Sequence, residues 1–93
     1  MDIIWDPEKT IIIIKQHGIR FSDAEMVFFD PNALTREDLD VENEQRFVKI
    51  VTIGMDAISR VLVVEYTYRG EDIRLISARS ATKQERERYE KGI

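Results

Sequence analysis

The chain has 93 residues, 43% of them apolar and 34% charged, with no cysteine and a single histidine. A chain this short holds one core and predicts one domain over residues 1–93; lacking cysteine it has neither disulfides nor thiolate metal sites, and His17 alone excludes a two-histidine acid–base pair or a histidine-rich zinc site. The net charge of −4 is unevenly spread: residues 1–45 carry 11 acids against 4 bases and residues 46–93 carry 7 against 10, so a bound polyanion is expected on the second half.

In chain order, Asp2 to Trp5 can form a short edge strand. Asp6-Pro7 then places a side-chain acceptor at an N-cap and a proline at the first helical position, where its missing N–H costs nothing. Gly18, after His17, supplies a left-handed stop. The first helix is therefore predicted over 7–17, although its four consecutive β-branched residues, Ile11 to Ile14, suit a strand better and cover every face of a helix. Ser22-Asp23-Ala24-Glu25 has the spacing of a capping box and opens a second helix over 22–29, stopped by Asp30-Pro31. The acid-rich stretch from Asn32 to Gln45 reads as a solvated connection or a short edge strand.

From Arg46 the period changes to two, and a strand runs to Ile53 and ends at Gly54. Val61 to Tyr68 is the strongest strand, apolar on both faces and so central. Gly70-Glu71-Asp72 turns the chain into an antiparallel strand from Ile73 to Ala78. Thr82-Lys83-Gln84-Glu85 repeats the capping-box spacing and opens a last helix over 82–91. The predicted class is α+β: two N-terminal helices, an antiparallel meander of three to four strands and a C-terminal helix. Acidic and aromatic residues within the first six positions argue against a cleavable leader, and Ile11 to Ile14 is far too short to span a bilayer. The expected location is the cytoplasm, with no membrane association.

Several ordered groups of residues resemble the BrnT toxin family. They are Trp5-Asp6 with Lys9 and His17-Gly18; Phe21 with Ala24, Val27-Phe28 and Asp30-Pro31; Glu44 and Arg46 leading to Ile53-Gly54. Arg60 to Val64, Tyr66-Thr67, Arg69 and Arg74 to Arg79 follow, and Ala81-Thr82, Glu85 and Tyr89 close the set. The resemblance covers nearly the whole chain. It implies a RelE-like fold, cleavage of RNA that inhibits translation and growth, and neutralisation by a DNA-binding, BrnA-like antitoxin in a toxin–antitoxin hetero-oligomer. Three positions depart from the family: Ile13 stands where asparagine is usual, Gln16 where lysine is usual, and Ser59 where glycine is usual. Restoring asparagine and lysine is expected to raise activity. The alternative is a weakened toxin-like module that binds antitoxin or nucleic acid without cutting.

Metal-independent RNA cleavage requires a charged cradle for the phosphate and proton transfer to and from oxygen. Arginine suits the cradle because its planar fork meets phosphate oxygens bidentately. Arg79 and Lys83 flank the start of the last helix, where backbone N–H groups attract anions, and are expected to hold the scissile phosphate. Arg46, Arg69 and Arg74 are expected to bind flanking RNA backbone. His17 is a candidate for proton transfer or, more plainly, a cap for the last carbonyls of its helix. Strand-end arginines such as these and Arg60 also commonly pair with neighbouring acids, here Glu65, Glu71 and Asp72. Arg86 and Arg88 alternate with Glu85, Glu87 and Glu90 and read as a charged helix face. Tyr89 is either a lid or a core anchor. No acidic cluster has metal-ligand spacing, and neither metal nor cofactor is expected.

Overall fold

The computed structural model describes residues 2–37 and 49–92. Asp6 accepts the Glu8 N–H at 2.9 Å and starts α1 (Pro7–His17), which ends where Gly18, at φ 67°, donates its N–H to the Ile14 carbonyl. The helix boundaries are those expected from the local caps. Of the four isoleucines only Ile13 is buried; Ile11, Ile12 and Ile14 are 57%, 50% and 42% exposed.

The expected second helix is corrected. α2 (Phe21–Ala24) begins after Arg20 rather than at Ser22, without a side-chain cap, and Glu25–Phe29 continues as a 3₁₀ segment. The buried residues explain why: Phe21, Ala24 and Val27 recur every three residues, and three residues per turn aligns them on one face. Gly54 lets this segment lie close, because a Cβ there would stand 2.7 Å from Val27 Cγ1.

Five strands form one sheet: β1 (Ile3–Ile4), β2 (Leu34–Glu37), β3 (Ile50–Met55), β4 (Val61–Arg69) and β5 (Asp72–Ser80), in the order β1-β5-β4-β3-β2. The meander β2 to β5 is antiparallel, and β1 joins as a two-residue parallel edge against Ile73 and Arg74. The layout therefore differs from the expected one. The sheet has five strands where a meander of three to four was expected: the edge strand anticipated at Asp2 to Trp5 forms as β1, the Asn32–Gln45 stretch supplies the second edge strand β2, and the described part of β3 begins at Ile50. Arg46 itself lies outside the described residues. A register shift at Glu65/Tyr66 leaves Ile76 as the extra residue of β5.

One sheet face carries the core. Ile13, Phe21, Ala24 and Val27 pack on Leu62, Val64, Tyr66, Ile73, Leu75 and Ala78. Tyr66 is capped at its polar end by the Thr52 hydroxyl at 2.9 Å and lies edge-on to Phe28. Arg60 ties the β3–β4 turn to the helices: it meets the buried Asp56 carboxylate at 2.8 Å, reaches the Gly18 carbonyl at 3.3 Å, and lies 3.7 Å from Asp23. This arginine is part of the scaffold.

After β5 the chain turns at Ala81, whose N–H reaches the Val61 carbonyl, into α3 (Lys83–Lys91). Thr82 and Glu85 form the expected capping box. At the far end Tyr89 donates to Asp30 at 2.5 Å, and Asp30 also accepts the N–H groups of Asn32 and Met55. Tyr89 is thus a tether between α3 and the segment before β2. The bond to Asp30 pushes the Tyr89 hydroxyl up to about 12. Burial works against ionisation of Asp30, but the Tyr89 O–H and the two N–H groups outweigh it and leave its carboxyl below the usual value. Among the described residues, no helix is long and apolar enough to cross a membrane.

Candidate active site

Side chains paired across antiparallel strands share a face. Val51 and Ile53 of β3 oppose Glu65 and Val63 of β4, which oppose Ser77 and Arg79 of β5; on the other side they oppose Arg36 and Leu34 of β2. All of these project from the face opposite the core. α3 borders this face and contributes Glu85 and Arg88. The result is a groove of about 500 Å³ with an aliphatic floor of Leu34, Val51, Ile53 and Val63 and charged walls of Arg36, Glu65, Arg79, Glu85 and Arg88.

Arg79 is fixed in this wall. Its Nη1 and Nη2 donate to the two Glu85 oxygens at 2.7 and 2.9 Å, and Nη1 also reaches the Ser80 carbonyl at 3.2 Å. A guanidinium has five N–H groups, so this geometry leaves Nε–H and one Nη2–H as a second, parallel fork. Glu85 in turn accepts the Thr82 N–H at 2.8 Å. The Arg79 fork, helped by that N–H and opposed by burial, holds the Glu85 carboxyl down at about 2, and the same contact raises Arg79. Both groups are charged at neutral pH.

Deeper along the face, Glu65 accepts the Ser77 hydroxyl at 2.5 Å and pairs with Lys49 at 2.6 Å. Arg74 opposes Thr67 and Arg69 opposes Asp72. They share the groove face but stand toward the β4–β5 turn, with Arg74 four β4 residues, or roughly 13 Å, from the Arg79 row. Lys83 is exposed on the first turn of α3, and the capping box occupies two of the N–H groups beside it.

Of the expected site residues, the structure brings Arg79 together with the start of α3 and sets Arg69 and Arg74 on the same face. It does not bring His17 to them. His17 ends α1, which packs through Ile13 on the opposite face, and the Gly18 N–H caps the helix in its place. Arg36, Glu65 and Arg88 line the groove although the sequence did not single them out. The signal for Arg36 was its alternation with Leu34 along an edge strand; for Arg88 it was the three-residue spacing from Glu85, which places both on one side of α3.

Comparison with known proteins accords with this geometry. Residues 5–85 match the family model described as ribonuclease toxin, BrnT, of type II toxin–antitoxin system. The fold is similar to the 1.1 Å crystal structure of the Brucella abortus ribonuclease toxin BrnT, with a TM-score of 0.67 and 27% identity over 89% of this chain and 99% of that one. Comparison with curated proteins finds no match. With residues 5–85, 81 of its 93 residues, matched by the family model and the fold shared with a solved member, the chain belongs to the BrnT ribonuclease toxin family of type II toxin–antitoxin systems.

Proposed function

We propose that the chain is an endoribonuclease toxin that cuts cellular RNA in the groove between the sheet and α3, with arginine rather than metal supplying the charge for the phosphate. The observation that carries this reading is Arg79: one fork is locked on Glu85, and the residue lines a groove together with Arg36 and Arg88. A preorganised guanidinium costs no rearrangement when the phosphate gains charge in the transition state. Arg36 and Arg88 complete the cradle, and Lys83, Arg69 and Arg74 extend the basic track toward flanking nucleotides. Arg46 joins that track in this reading. The aliphatic floor lowers the local dielectric and accepts the apolar edge of a ribose or base.

The partner is an antitoxin, as the family implies; a DNA-binding, BrnA-like protein that forms a hetero-oligomer with the toxin is the reading we propose. The exposed face of Ile11, Ile12 and Ile14 gives such a protein an apolar surface away from the groove. A non-cutting module is the second reading, favoured by the neutralisation of Arg79 by Glu85. Induction of the chain in cells with and without its neighbouring gene, alongside Arg79→Ala, tests both. Growth arrest relieved by the neighbour, with RNA cut by the parent and spared by Arg79→Ala, supports the enzyme; arrest by a parent that leaves RNA intact points to binding alone.

A further inference from the structure

Resting on the ribonuclease reading, we infer that Glu65 is the general base of the reaction: its carboxylate stands on the groove face beside Arg79, oriented by Ser77 and Lys49. Arg79 and Glu65 are diagonal neighbours, since Arg79 pairs with Val63 and Glu65 lies two residues farther along β4. Such a pair is separated by roughly 7–8 Å across the strands, within the joint reach of two long side chains. A phosphate on the free fork of Arg79 therefore brings the adjoining ribose toward Glu65.

Two carboxylates line the groove, and they are held differently. Glu85 accepts three N–H groups and holds its proton too weakly for base catalysis. The contacts of Glu65 include a hydroxyl, from Ser77, and an ammonium, from Lys49. The Ser77 hydroxyl is a rotor that donates to the carboxylate and can turn to accept from the carboxylic acid, so the contact survives protonation. Lys49 sets a positive charge 2.6 Å from the carboxylate. Among the described residues, the other charged groups that line the groove with it are Arg36, Arg79, Arg88 and Glu85.

In the step itself, a Glu65 oxygen takes the 2′-hydroxyl proton while the 2′-oxygen forms a bond to phosphorus. The P–O5′ bond breaks, its electron pair stays on O5′, and O5′ takes a proton from water. The products are a 2′,3′-cyclic phosphate and a 5′-hydroxyl, with nothing oxidised or reduced. Arg79 balances the charge that builds on the phosphoryl oxygens, and Ser77 is a positioning residue.

The test uses the whole chain and a mixed-sequence single-stranded RNA, offered free and as a translated message on ribosomes, with the 2′-deoxy strand as an uncleavable binding probe. Glu65→Gln keeps the shape and the Ser77 contact but has no basic oxygen. It is expected to lower cleavage about 10²–10⁴-fold, to remove the acidic limb of the pH–rate profile, and to bind the 2′-deoxy strand at least as tightly as the parent. Glu65→Asp should recover part of the rate with its acidic limb, and serves if the glutamine variant does not fold. Parental cleavage or an unchanged acidic limb in Glu65→Gln overturns the assignment while the ribonuclease reading stands. Equal losses of cleavage and of 2′-deoxy binding make Glu65 a binding or scaffold residue, which also overturns it. A parent that cuts neither form of RNA fails the ribonuclease reading, and the general base falls with it.

Discussion

Replacing Arg79 by alanine separates chemistry from scaffolding, because the structure assigns each a different magnitude. On the scaffold side, the change removes the two bonds to Glu85 and the one to the Ser80 carbonyl. The Arg79 side chain is 42% exposed and that of Glu85 is 22% exposed, and Glu85 keeps the Thr82 N–H, so neither charge is stranded in a dry interior. A pair in this setting contributes about 1 kcal/mol after solvent screening, or roughly 4–8 °C in a chain of this size. On the chemical side, loss of one preorganised donor to the transition state costs about 10²–10³ in rate, roughly 2.7–4 kcal/mol. Arg79→Lys keeps the charge but reaches Glu85 or the phosphate with one point contact, so its rate should fall between parent and alanine. Cleavage rate and thermal melting measured on the same three proteins give the answer. An Arg79→Ala protein that cuts at the parental rate removes Arg79 from the reaction. One whose activity is lost only in proportion to its unfolded fraction returns Arg79 to the scaffold.

Glu85 also predicts an acid dependence: its carboxyl lies near 4.5 when unfolded and about 2 when folded, so the folded state binds fewer protons between those values. The stabilisation is complete above pH 4.5 and is lost as pH falls toward 2; acid melting curves of Glu85→Gln should lose that slope, and an unchanged slope refutes the pairing. Ile13 is 7% exposed within the core, so Ile13→Asn should destabilise by about 3–5 kcal/mol through lost packing and a buried amide. Circular dichroism checks this, and an undisturbed melt would show the site to be less packed than it stands. Ser59, at φ 65°, carries left-handed strain of about 1–2 kcal/mol, partly offset in the unfolded chain by glycine's freedom. Ser59→Gly should thus raise the melting temperature by a few degrees, and a fall would contradict the strain. A cognate antitoxin at 100 times its Kd should stabilise the toxin by about 2.7 kcal/mol; a thermal-shift assay with no gain from the neighbouring gene product counts against that pairing.

The parts of the fold legible in the sequence were those set by local side-chain–backbone chemistry. Asp6-Pro7 with Gly18, and Thr82 with Glu85, define helix ends through contacts within a few residues, and these hold in the structure. Ser22 to Glu25 has the same spacing but no such cap, because burial of Phe21 starts the helix one residue earlier and the three-residue repeat to Val27 tightens it. β2 was only weakly legible: Leu34–Glu37 is an edge strand with three exposed residues, and pairing with β3 rather than its own pattern makes it a strand. Ile13 reads as a lost polar residue against the family, yet in this chain it is the contact by which α1 reaches the sheet.

The site was legible in part because position and sidedness are different kinds of information. Arg79 before the Thr82 cap can be found from spacing, and so can Glu85 as the third residue of the helix. That the two meet depends on the corner between β5 and α3, where a single carboxylate caps the helix on one side and holds the guanidinium on the other. The same corner decides which turn of α3 faces the groove, and it brings Arg88 in while leaving Lys83 on the rim. His17 stands apart from the groove for the complementary reason. Its chemistry fits the reaction, but α1 lies on the core face, and no local pattern near residue 17 records which side of a sheet sixty residues later it will cover. A one-residue change of register would exchange the two faces of β5, so the site is specified by the apolar residues that hold Ala78 inward as much as by Arg79 itself. For that reason Ala78, which touches no substrate in this reading, is a position where a larger side chain should displace Arg79 and disarm the groove without altering a single charged residue.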